Sequence, residues 1–131
     1  MFPDKIELKA GQDTPGVLFD IEENKFLLTG RSFPADADKF YQQLIKWLDD
    51  YKNAGPKEPL VFDVKMEYFN TASAKLLLDL FFKLEDISES GYAVNIRWFA
   101  LEEDEDMQEA GEEFDEIVEL DFDFIEYEDE Y

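Results

Sequence analysis

The chain has 131 residues, 45% of them hydrophobic and 16% aromatic, which is enough for one domain with a packed core and argues against a disordered chain. With no cysteine and no histidine, it cannot form disulfides, thiolate or imidazole metal sites, cysteine nucleophiles or a Ser-His-Asp triad. Thirty-four acids against twelve bases give a net charge of -22, which repels nucleic acid and anionic lipid and favours basic protein surfaces or cations as partners. No run approaches the roughly 20 apolar residues of a membrane span. Residues 1–30 lack the apolar stretch of a signal peptide, and a cytoplasmic location is the expectation.

In chain order, Ile6 and Leu8 alternate with charges, as on an edge strand. The Gly11 to Gly16 cluster is a turn, and Val17–Ile21 is a second strand. Residues 22–25 have hairpin length, and Lys25–Gly30 is a third strand whose unbroken apolar run predicts burial on both faces. Asp36 is the expected N-cap of a helix over Ala37–Lys52, with Phe40, Leu44, Trp47, Leu48 and Tyr51 as its apolar stripe. Leu60–Met66 follows as a strand. Tyr68–Lys75 opens a long helix that runs to about Ser88; Glu89-Ser90-Gly91 ends it, with Gly91 a suitable C′ residue. Ala93–Phe99 is the next strand. Asp104–Glu113 reads as a short acidic helix ending near Gly111, and Ile117–Tyr127 as a last strand. The order β-β-β-α-β-α-β-α-β predicts an α/β fold. Its mixed sheet has a mostly parallel centre, an N-terminal antiparallel hairpin and helices packed on at least one face.

Charge is unevenly spread. Residues 102–131 carry 17 acids and no base, yet also Phe114, Ile117, Phe122 and Phe124, so this segment is expected to belong to the domain that spans 1–131. Asn70, Thr71 and Ser73 stand together at the start of an apolar helix, where the first turn has unpaired N–H groups. Asn70 is the better cap, which would leave Thr71 or Ser73 free and exposed. Capping alone accounts for these residues. The sharper reading is a phosphorylation site, because a helix N-terminus favours a phosphate that adds about -1.5 to -2 charge. Tyr68 and Phe69 just before it are candidate aromatic anchors for a partner.

Four stretches carry a more specific resemblance: Gly30–Pro34, Tyr68–Asp79, Asn95–Trp98 and Asp104–Phe114. The chain resembles the SiaC family of bacterial regulatory phosphoproteins, related to the STAS-type anti-sigma-factor antagonists. The resemblance implies a STAS-like fold and a non-catalytic, partner-switching role. The family's phospho-acceptor threonine falls on Thr71; the third position of that loop, commonly Ser, is Ala72 here. It further implies a serine/threonine kinase, a PPM-type phosphatase, and an effector such as a diguanylate cyclase that binds the unphosphorylated form.

The acidic stretch around Asp104, Asp106, Met107 and Glu109 is the second candidate surface, an electrostatic docking site for a basic patch on such a partner. It fails as an EF-hand, since a loop starting at Asp104 has Glu109 where glycine is required. No metal and no cofactor is expected. Arg31 and Lys65 are candidate contacts for a phosphate. Two other readings stay open: an acidic scaffold subunit without phospho-regulation, and a small carboxylate-based enzyme. The missing histidine, cysteine and glycine-rich phosphate loop weigh against the enzyme.

Overall fold

The computed structural model describes residues 2–128. Its elements are β1 (Ile6–Leu8), β2 (Gly16–Asp20), β3 (Lys25–Ser32), α1 (Ala37–Ala54), β4 (Leu60–Phe69), α2 (Thr71–Glu89), β5 (Val94–Leu101), α3 (Glu105–Ile117) and β6 (Asp121–Tyr127). This is the expected order. The six strands form one sheet in sequence order, antiparallel across β1–β2–β3 and parallel across β3–β4–β5–β6.

That topology fixes where the helices go. Each parallel connection moves one strand further in the same direction, and crossovers of one hand then stack α1, α2 and α3 on the same face. The strands accordingly bury alternate residues under the helices: Phe19, Phe26, Phe62, Val64, Ile96 and Trp98 are all at most 2% exposed. Among the described residues, no helix covers the opposite face. Leu27 lies there half-buried, so the expected burial of β3 on both faces does not occur. On the covered face, α1 closes over Phe19 and Phe26 with Trp47 and Tyr51, in ring contacts of 5.0–6.0 Å. Its stripe is Tyr41, Leu44, Trp47, Leu48 and Tyr51. Phe40 is only half-buried, and Tyr41 takes the core position assigned to it.

The end of the acidic helix and the start of the last strand differ from the sequence reading, for a physical reason. The acidic helix does not end near Gly111. A Cβ at Gly111 would lie 2.6 Å from the indole ring of Trp98, so the glycine permits close approach and does not terminate the helix. Trp98 Nε1 donates to the Met107 carbonyl at 2.9 Å, clamping α3 onto β5. The helix therefore continues through Phe114 to Ile117, and the last strand begins at Asp121.

β3 also runs past Gly30 to Ser32. There the register slips: Gly30 pairs with Met66 but Arg31 pairs with Tyr68, leaving Glu67 as the extra residue of a bulge. Gly30 supports the kink with a φ of +87°. The slip inverts the alternation of β4. Met66 is buried, Tyr68 turns outward at 45% exposure, and Phe69 turns in to meet Trp98 and Phe114.

Candidate functional site

The strand-to-helix junction after β4 is built on Asn70. Its extended backbone (φ -84°, ψ 178°) leaves the strand, and its Oδ1 accepts from the Ser73 N–H at 2.9 Å. Its carbonyl accepts from Ala74, and its own N–H donates to the Ser32 carbonyl at 3.0 Å. The turn is thus capped on one side and tied to the end of β3 on the other. Asn70 is the N-cap, as its propensity predicted. Thr71 is the first helical residue and is exposed.

Ser73 departs from expectation. It was expected free and partner-facing, but it is fully buried. Its hydroxyl accepts from Ser32 Oγ at 2.8 Å, and Ser32 Oγ lies 2.7 Å from the Tyr41 hydroxyl. Burial raises the Tyr41 pKa, an effect partly offset by hydrogen bonds from Ser32 and Ser73. Met107 also departs from expectation, since its side chain is buried in the core and not exposed on the acidic surface. Phe69 is half-buried in the core, while Tyr68 is exposed.

Tyr68 forms a small platform with Phe33. The rings meet edge-on at 6.0 Å, and the Arg31 guanidinium lies 5.7 Å and 5.9 Å from their centroids. A cleft of about 310 Å³ opens beside it at the ends of the parallel strands, lined by Arg31, Glu67, Tyr68, Leu101, Asp104 and Tyr127. Such strand ends are where open α/β sheets bind their ligands. The sequence placed Tyr68 and Asp104 on separate candidate surfaces; the fold brings them into one cleft. Asp104 is also committed as the cap of α3, accepting from the Met107 N–H at 3.0 Å. Asp106 and Glu109 are exposed on α3. Lys65 lies 4.4 Å from the Tyr127 ring centroid, on the uncovered sheet face.

Residues the sequence reading passed over are Ser32 and Tyr41, and the Asp63–Arg97 pair on the uncovered face. Arg97 binds Asp63 through two contacts of 2.6 Å, and that hydrogen bonding raises the arginine pKa further. Tyr41 had a usable signal, since it stands three and seven residues before Leu44 and Leu48. Ser32 had none, because its contacts are 9 and 41 residues away. Glu85, Glu89 and Glu119 bring carboxylate oxygens within 4.8 Å of one another, but Glu85 already accepts from the Glu119 N–H.

The model of the SiaC family of regulatory phosphoproteins matches residues 8–127. The chain belongs to the SiaC family. Its structure is similar to SiaC of Pseudomonas aeruginosa, with a TM-score of 0.86 and 26% identity over 95% of this chain and 100% of that one. It is equally similar, at a TM-score of 0.86 and 27% identity over 93% and 99% of the two chains, to the SiaC chain solved in complex with the diguanylate cyclase SiaD, whose activator it is. A protein of Pseudomonas aeruginosa strain UCBPP-PA14 is 29% identical over 111 residues, 85% of this chain and 87% of that protein. SiaC-family membership makes the chain a regulatory protein and not an enzyme. Among the described residues, no helix is long and apolar enough to cross a membrane.

Proposed function

We propose that this protein is a phosphorylation-gated activator of a diguanylate cyclase and works in the cytoplasm. In this reading, Thr71 is the acceptor. A serine/threonine kinase adds the phosphate, a PPM-type phosphatase removes it, and the unmodified form binds the cyclase. The observation that carries the reading is the division of labour at the head of α2: Asn70 caps the helix, which leaves Thr71 exposed and without a structural duty. A phosphate there sits at a helix N-terminus, where dipole and charge agree, so it leaves the helix intact and acts through the surface. Support for the effector comes from the relative that is solved as an activator bound to a diguanylate cyclase. Tyr68, Phe69, Asn70 and the exposed acids Asp106 and Glu109 form the contact region in this reading.

The test is to incubate the protein with its kinase and ATP, measure the intact mass and map the site. One added phosphate on Thr71, with cyclase binding lost in Thr71→Glu and kept in Thr71→Ala, is the expected result. If phosphate is absent and binding is indifferent to Thr71→Glu, the switch is refuted and an acidic scaffold remains.

A further inference from the structure

Below Thr71 lies a group of hydroxyls that helix capping does not explain. Ser32, Tyr41 and Ser73 are all fully buried, and they come from β3, α1 and α2. Their proton order can be worked out. Ser32 Oγ donates to Ser73 Oγ at 2.8 Å, and a serine has one proton, so at its 2.7 Å contact Ser32 accepts from Tyr41. The three oxygens thus form a hydrogen-bonded chain, Tyr41 to Ser32 to Ser73, without a carboxylate. Among the described residues, no buried side-chain polar atom is left unpaired. The same residues hold the turn through their backbone: Asn70 N–H binds the Ser32 carbonyl, and Ser73 N–H binds Asn70 Oδ1.

We infer that this hydroxyl chain is a positioning device for the modification site: it withholds Ser73 from modification, fixes the turn that presents Thr71, and ties that turn to α1. The inference rests on Thr71 being the acceptor. Modification transfers the γ-phosphoryl group of ATP to Thr71 Oγ1. A P–O bond to the threonine forms, the bond to the ADP oxygen breaks, and the hydroxyl proton leaves. Ser73 carries the same chemistry two residues away, but its oxygen is fully buried and accepts a hydrogen bond from Ser32. Selection between the two hydroxyls is then a matter of burial, with no need for sequence recognition by the kinase.

Tyr41→Phe and Ser73→Ala break the chain and leave Thr71 and the Asn70 cap in place. Hydrogen exchange measured on each protein, without any kinase, reads the turn directly. The expected result is that the amides of Ser73 and Ala74 exchange at least about tenfold faster, while those of Leu80 and Leu84 further along α2 keep their order of protection. A merely global loss of stability would speed all of them together, and that outcome, or no change, overturns the proposal. A second arm uses kinase and ATP on Thr71→Ala and on Thr71→Ala with Tyr41→Phe. Phosphate is expected on Ser73 only in the double variant; phosphate on Ser73 in Thr71→Ala alone would show that the hydroxyl chain does not seal it and would refute the proposal. Absence of phosphate on wild-type Thr71 would instead sink the switch itself, and the exchange arm would still decide the role of the chain.

Discussion

Replacing Asn70 by alanine separates the two duties that meet at the head of α2. The side chain accepts the Ser73 N–H at 2.9 Å, and Ser73 is fully buried, so no water can replace the lost acceptor. Losing an N-cap costs about 1 kcal/mol, and leaving a buried N–H unpaired pushes the figure toward about 2 kcal/mol. For a chain of this length, each 1 kcal/mol lowers Tm by roughly 3–5 °C. Asn70→Ala should therefore melt several degrees below wild type, by calorimetry or circular dichroism. Asn70→Asp keeps an acceptor oxygen and should recover most of the loss. Thr71→Ala removes an exposed hydroxyl from the first helical position and should change stability by less than about 0.5 kcal/mol. If Thr71→Ala costs as much as Asn70→Ala, Thr71 shares the cap, and the claim that it is free for modification is wrong.

Two further outcomes test the packing. Gly111→Ala would raise helix propensity by about 1 kcal/mol in an exposed helix, but here the new Cβ meets the Trp98 ring at 2.6 Å. Net destabilisation with a shifted tryptophan emission is expected, and a stabilised variant would show that the indole is free to move. The alkaline limb of stability should follow Tyr41 and Tyr51. The ordinary tyrosine value is about 10, and both phenols are raised above it in the folded chain, Tyr41 by burial and Tyr51 by burial with the charge of Glu58. The folded state then holds more protons above that pH, so their contribution is full below about pH 10 and is lost as pH rises through the folded values. Urea midpoints should fall above about pH 10, and Tyr41→Phe should flatten the part that Tyr41 supplies.

Periodicity read the frame well because each element buries one face. Alternation in β5 and the stripe of α1 are local patterns, and the cap and C′ residues of the helices are local too. Where the reading failed, a long-range contact had overruled a local preference. Gly111 looks like a helix terminator until Trp98 is packed against it. Leu27 looks doubly buried until the sheet proves to have helices on one side only. Ser73 looks like a free hydroxyl until β3 and α1 deliver Ser32 and Tyr41 to it. The outward turn of Tyr68 depends on a register slip against β3, which no pattern within β4 encodes.

The same topology explains why two candidate surfaces that are remote in sequence lie at one edge of the sheet. β4 and β5 are parallel neighbours, so the helices that follow them begin at the same edge of the sheet. One start carries Thr71; the other carries Asp104, Glu105 and Asp106. α3 has no base in its last turn and carries like charges four residues apart at Glu105, Glu109 and Glu113, so its own side chains oppose the helix. What holds it is Met107, Phe114 and the glycine that admits Trp98. A core-anchored acidic helix is a fixed charge, and a phosphate on Thr71 would be a variable one beside it. A partner patch that is basic along this edge would bind the phosphorylated form more tightly, whereas an acidic or apolar patch would bind it more weakly. An effector that prefers the unmodified chain must therefore present an acidic or apolar surface to Thr71, whatever it presents to α3.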